Sequence, residues 1–158
     1  MEAREDSGIT LTGVRQVGVV VRNVDEAAEY YSSNFGVGPF RIVIRERRSV
    51  IVHGEPVDYK VKLAFADLGQ IQLELIEVLE GETIHTEFLR ERGEGLHHLG
   101  FHVEDLDAEV SRWERRGFGV LQRTKPGGPG FAYMDTAGVS GVILELIQRA
   151  GRVRETES

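Results

Sequence analysis

The stretch Gln16-Val17-Gly18-Val19-Val20-Val21, followed by Asn23-Val24-Asp25, recurs 82 residues later as His98-Leu99-Gly100-Phe101-His102-Val103, followed by Asp105-Leu106-Asp107. Each copy reads as a strand rich in β-branched or aromatic residues that runs into a helix. In the first copy Asp25 is expected to cap the helix, Ala27, Tyr31 and Phe35 share a face at i, i+4 and i+8, and Gly36 ends it. In the second, Asp107 is the expected cap, Val110 and Trp113 face inward, and Gly117 ends it. A later segment repeats too: Leu73-Glu74-Leu75-Ile76 returns as Leu144-Glu145-Leu146-Ile147 at an offset of 71, so the second half has shorter loops.

Between these anchors lie further strand-like runs, Phe40 to Arg45, Tyr59 to Ala66, Val120 to Arg123 and Phe131 to Asp135. Thr83 to Arg92, with Ile84, Phe88 and Leu89 on one side and Gly93 after it, reads as a helix linking the halves. The order is therefore βαβββ, linker helix, βαβββ. One four-stranded sheet with one helix leaves a face uncovered, so the modules are expected to pair side by side. The expected fold is α+β: a curved, mixed, barrel-like sheet forming a cup with helices outside. A single domain over 11–150 divides into module one at about 14–79, a linker helix at 83–92 and module two at about 95–148. Met1 to Gly8 and Arg149 to Ser158 read as polar tails, with the domain bounds leaving end segments 1–10 and 151–158.

The chain has 158 residues, 41% of them hydrophobic, enough to bury a core. With 26 acidic against 19 basic residues and a formal charge of -7, it is poorly suited to neutralising nucleic-acid phosphates. A small molecule or a protein is the better expected partner. No cysteine is present, so any chemistry falls to His, carboxylate, amide and hydroxyl groups. The polar, acidic start lacks a secretory pattern and no apolar run approaches a membrane span, which points to a cytoplasmic protein without a membrane partner.

The repeat places a ligand-capable residue at matching positions: Gln16 and His98 on the first strands, Glu74 and Glu145 on the last. Strand alternation turns Glu74 away from Leu73 and Leu75, and Glu145 away from Leu144 and Leu146, so the leucines meet the helices and the carboxylates face the cup. Two carboxylates, an imidazole and an amide oxygen crowded in a concavity repel and desolvate one another unless a cation joins them. These donors, without sulfur, suit one divalent ion among Zn, Ni, Co, Mn and Fe(II). Singly, each residue is more often a packed or solvated strand residue than a ligand; it is their shared repeat position that marks them.

Gly93-Glu94-Gly95-Leu96-His97-His98-Leu99-Gly100-Phe101, Tyr30-Tyr31 with Phe35-Gly36, and Gly141-Val142-Ile143-Leu144-Glu145-Leu146 resemble motifs of the vicinal oxygen chelate (glyoxalase/bleomycin resistance) superfamily. Within it they resemble the branch of methylmalonyl-CoA epimerase and glyoxalase I (lactoylglutathione lyase), from about Val14 to Gln148. The resemblance implies a metal set of Gln16, Glu74, His98 and Glu145, with His97 facing the helix layer, and a homodimer. Epimerases usually carry His where this chain has Gln16, and tend to place a second Glu on the strand here occupied by Lys60 to Ala66. The Gln, Glu, His, Glu order matches glyoxalase I of the animal type.

The implied activity is that of a metal-dependent lyase or isomerase. A proton leaves the carbon next to a carbonyl to give a metal-stabilised enediolate, on a glutathione hemithioacetal or an acyl-CoA thioester. Glu145 is the expected base and Glu74 the second choice, because a carboxylate in an apolar cup has a raised pKa. Tyr133, His102 and Lys62 are candidates for substrate contact, each with a plainer packing or surface role. His102 lies about 13 Å beyond His98 at the usual strand rise, too far for the same ion. The Pro126 to Gly130 run reads as a hairpin connection or a mobile flap. Arg45, Arg47, Arg48, Lys60 and Lys62 form a basic concentration suited to coenzyme A phosphates or glutathione carboxylates, or to protecting edge strands. The alternatives are a metal-free binding protein of the bleomycin-resistance type and, ranked below it because Gln16 replaces a His, a non-haem iron ring-cleaving dioxygenase.

Overall fold

A computed structural model describes residues 6–151, so most of the two expected tails, at 1–5 and 152–158, lies outside the described residues. The elements are β1 (Gln16–Val20), α1 (Val24–Phe35), β2 (Arg41–Val52), β3 (Glu55–Leu68), β4 (Ile71–Glu80), α2 (Ile84–Arg92), β5 (Gly95–His102), α3 (Leu106–Arg115), β6 (Val120–Arg123), β7 (Gly130–Met134) and β8 (Ile143–Gln148). The βαβββ repeat and the linker helix are both present. The strands close into one barrel in the order β1-β4-β3-β2-β6-β7-β8-β5.

Each module pairs its first and last strands in parallel, β1 with β4 and β5 with β8. The modules meet along the antiparallel β1–β5 ladder, and again at β2–β6, where only Ile51↔Arg123 and Val52↔Gln122 pair. The first module carries longer strands than its pattern suggested. His53 (φ 47°) and Gly54 (φ 81°) make a two-residue turn that lets the β2–β3 ladder run on past Arg45.

Alternation sorts the faces. Leu73 and Leu75 of β4 pack outward on Val24 and Ala28 of α1, and Leu144 and Leu146 of β8 pack on Val110 and Trp113 of α3. Tyr59, Val61, Leu63 and Phe65, at every second position of β3, fill the interior with Val50, Val52, Ile76 and Tyr133, and Ile84 of α2 joins them.

Three local expectations are corrected. The cap of α1 is Asn23, whose side chain accepts from the Glu26 N–H, rather than Asp25; that of α3 is Asp105, accepting from the Ala108 N–H, rather than Asp107. Asp25 and Asp107 instead sit in the first turns and bind Lys62 and Arg123. Phe35 is 64% exposed, edge-on to Tyr30, while Ala27 and Tyr31 pack against the sheet.

Candidate metal centre

Four adjacent strands bring the chemistry together. Across β4, β1 and β5 the register aligns Glu74, Gly18 and His98; one row along it aligns Gln72, Gln16 and Gly100, and then Glu145 on β8. The repeat makes these rows images of each other, His98 answering Gln16 and Glu145 answering Glu74.

Inside the barrel, His98 Nε2 lies 3.0 Å from Glu145 Oε2 and 3.6 Å from Glu74 Oε1. His98 is fully buried, Glu145 4% and Glu74 8% exposed. Among the described residues, neither His98 Nε2 nor Glu145 Oε2 has a hydrogen-bond partner, although the two atoms are within reach of each other. Buried polar atoms left so are costly, and a cation between them satisfies both. The residues therefore fit a divalent ion held by one imidazole and two carboxylates, with Gln16 on the next row.

The electrostatics of the centre agree. Burial drives the Glu74 carboxyl up to about 7, and the charge of Glu145 adds to the rise against the opposing pull of His98. For His98 burial acts to lower the pKa, but the Glu145 and Glu74 carboxylates outweigh it and the net shift is upward.

On its other side His98 Nδ1 is 2.9 Å from Nδ1 of His97, which touches Phe88 and His85 of α2 edge-on or tilted. His85, His97 and His98 bring ligand atoms within 4.8 Å of one another. This is a second cluster able to take a metal. Burial holds His97 near 3 and His85 well below its ordinary value, so both are neutral imidazoles without net charge to neutralise. The carboxylate side of His98 has the stronger demand for a cation, and a His97 nitrogen that accepts from His98 Nδ1–H leaves the Nε2 lone pair free to face it.

Of the other expected residues, Tyr133 is brought close. It is buried, stands opposite Glu145 in the β7–β8 ladder, and its ring centroid is 5.0 Å from that of His98. Burial first, then the charges of Glu145 and Glu74, push its hydroxyl well above the usual range. Gln16 is half-buried and its amide donates to Gln72 Oε1 at 3.1 Å. His102 is exposed and lines a surface cavity of about 1010 Å³ with Gln148 and Arg112, away from the buried triad. Lys62 is on the outer face of β3, ion-paired with Asp25 of α1, and is not brought to the site. Of the expected basic concentration, Lys60 and Arg48 are outward as well, whereas Arg45 and Arg47 share the inner face with Val43, and Arg41, outside that expectation, joins them there. The Pro126 to Gly130 run does connect a hairpin, and Asp107 accepts from its Gly127 N–H.

Sequence reasoning missed three supporting features. A β-carbon at Gly18 would stand 2.0 Å from His98 Cε1, so glycine there makes room for the imidazole; Gly100 does the same, less tightly, for Gln16. These glycines were already visible as matched members of the repeat. The neighbouring histidines sit at a register shift, Gly18 pairing with His98 but Val19 with Leu96, which leaves His97 as the extra residue of a bulge. Nothing in the sequence marks that bulge or brings His85 beside it.

A family model described as the Glyoxalase/Bleomycin resistance protein/Dioxygenase superfamily matches residues 15–134, and the chain belongs to that superfamily. The curated protein YqjC of Bacillus subtilis, itself called uncharacterized, is 27% identical over 139 residues, covering 85% of this chain and 91% of that one. Among solved structures, a methylmalonyl-CoA epimerase of Streptomyces coelicolor in complex with 2-nitronate-propionyl-CoA superposes with a TM-score of 0.70 at 23% identity, over 90% of this chain and 97% of the other. The methylmalonyl-CoA epimerase of Mycobacterium tuberculosis gives a TM-score of 0.65 at 22% identity, over 96% and 94%. At such identities the structures share the fold. Among the described residues no helix is long and apolar enough to cross a membrane.

Proposed function

We propose that this protein is a metal-dependent lyase or isomerase that moves a proton on the carbon next to a carbonyl, on a glutathione hemithioacetal or an acyl-CoA thioester. The observation that carries the reading is His98 Nε2 poised between two buried carboxylates, 3.0 and 3.6 Å away, on strands from both modules. A divalent cation held by Glu74, His98 and Glu145, with Gln16 as fourth ligand, would supply Lewis-acid polarisation of the carbonyl.

The chain's own residues do the rest. Glu145 takes the proton from carbon and returns it, with Glu74 as second carboxylate. His97 fixes the tautomer of His98 through the Nδ1 contact. Tyr133, Phe65 and Leu63 keep the centre dry, which strengthens each charge interaction inside. Beside the centre, the inner faces of β2 and β3 present Arg41, Val43, Arg45 and Arg47, and Tyr59, Val61, Leu63 and Phe65. None is a carboxylate, and Asp67, next on the β3 face, is exposed at the strand's end. That favours a single base returning the proton on one face, the glyoxalase I type, over epimerisation with acid and base on opposite faces.

One observation favours a second reading, that of a metal-free binding protein: the centre is nearly closed to solvent, and a surface cavity of about 1010 Å³ lies elsewhere. Incubation of the metal-loaded protein in D₂O with the methylglyoxal–glutathione hemithioacetal, and separately with methylmalonyl-CoA, distinguishes them. Proton NMR is expected to show conversion or deuterium entry at the carbon next to the carbonyl for one substrate. No exchange with either, alongside tight binding, supports the second reading.

A further inference from the structure

The inner face of β2 carries three arginines at alternate positions around Val43. Register places Arg41 opposite Phe65, Arg45 opposite Val61 and Arg47 opposite Tyr59. The guanidinium carbon of Arg41 is 4.9 Å from the centroid of the Phe65 ring, and that of Arg45 is 6.0 Å from the same ring. Arg47 reaches across to the second module, 5.8 Å from the centroid of Phe131 on β7. Phe65 is also the register partner of Glu74. The three cations therefore stand on the same sheet face as Glu74, two strands away, close enough for the charges of Arg45 and Arg47 to act on its carboxyl.

Their donors are not used internally. Among the described residues none of the three makes an ion pair or a side-chain hydrogen bond, whereas Arg48, one step along and on the outer face, pairs with Glu46 and Asp58. An aromatic ring under a guanidinium engages its flat face and leaves the in-plane N–H fork free. Arg45 is partly desolvated and repelled by Arg47 and Arg41, which together lower its pKa. In a chain of net charge -7, three guanidiniums with no acidic partner among the described residues share one sheet face, and a bound anion offsets their mutual repulsion.

We infer that Arg41, Arg45 and Arg47 form a binding site for an anionic group of the substrate, a carboxylate or a phosphate, held on the inner face of β2 against Phe65, beside the reacting centre. This names a substrate class for the site described above and in that sense rests on that reading: the molecule entering the cup is an anion whose charged group is fixed by bidentate arginine contacts, while its carbonyl faces Glu145. Planar guanidinium forks suit both oxyanions, so the source of the charge is left to the experiment.

The test uses chelator-stripped full-length protein at fixed ionic strength, titrated calorimetrically with malonate and, separately, with inorganic pyrophosphate. Saturable binding of at least one is expected, weakened about tenfold or more in Arg45→Gln and Arg47→Gln, less in Arg45→Lys, and not in the outer-face control Arg48→Gln. Malonate binding identifies a carboxylate source and pyrophosphate binding a phosphoryl source. Circular dichroism confirms that each variant is folded, and Arg45→Lys keeps the test open if a glutamine variant is not. Equal affinity in wild type, Arg45→Gln and Arg48→Gln, or no saturable binding of either anion, overturns the inference. Because no metal is present, a protein that binds anions through Arg45 but never binds a metal ion keeps this inference and loses the proposed activity. The converse result does the reverse.

Discussion

The imidazole of His98 occupies the space that a side chain at Gly18 would need: a β-carbon built there falls 2.0 Å from Cε1 and 2.4 Å from Nε2. Gly18 lies opposite His98 in one ladder and Glu74 in the other, so the first strand gives up its own side chain to let the ring reach both glutamates. Gly18→Ala is expected to displace His98, cut metal content well below that of wild type, and destabilise the fold by about 1–3 kcal/mol through overpacking. Full metal content in a normally active Gly18→Ala protein would remove this steric argument. Gly100→Ala, where the nearest contacts are 3.0 Å, should have the milder effect.

Glu145→Gln keeps the shape of the side chain and removes the base. Turnover in the D₂O exchange assay should fall by about 10²–10⁴-fold while the thermal unfolding midpoint stays close to that of wild type. Undiminished exchange takes Glu145 out of the mechanism and turns attention to Glu74.

Metal affinity should rise with pH. Glu74 titrates near 7 in the folded, metal-free chain against an ordinary 4.5, and His98 is raised above its ordinary 6.5, so a cation must displace protons from both at neutral pH. Each proton displaced weakens binding by about tenfold per pH unit below the group's pKa. The folded metal-free chain also holds a proton on Glu74 that the unfolded chain has lost between 4.5 and about 7, so its stability declines as pH rises through that window. The raised His98 contributes stability that is full below 6.5 and lost above it, in the same direction. Calorimetric metal titrations and urea melts from pH 5.5 to 8.5 check both; an affinity flat across that range contradicts the protonated centre.

Lys62 pairs with Asp25 on the outer face, so Lys62→Ala should leave turnover and KM unchanged in the same assay. A raised KM would return Lys62 to the substrate site and put the face assignment of β3 in question.

The repeat made the architecture legible because both copies had to keep the same strand, helix and glycine spacing to build matching half-barrels. Alternation then placed Glu74 and Glu145 indoors, since Leu73, Leu75, Leu144 and Leu146 had helices to cover them. What the pattern concealed was set by pairing rather than by local sequence. The tight turn at His53-Gly54 lengthened β2 into a stretch of charged residues that looks solvated, Arg45-Glu46-Arg47-Arg48, where alternation sends Arg45 and Arg47 inward and Glu46 and Arg48 outward. The bulge at His97 and the arrival of His85 from α2 depend on contacts between modules, which no local window contains.

The central claim is that Glu74, His98 and Glu145, with Gln16, hold one divalent cation. Elemental analysis of purified wild type and His98→Ala, after loading each with excess metal and removing what is free, tests it most directly. The account predicts about one equivalent per chain in wild type and a small fraction of that in His98→Ala, with the variant still folded. Wild-type protein without bound metal, or a His98→Ala variant that keeps its full equivalent, would contradict it.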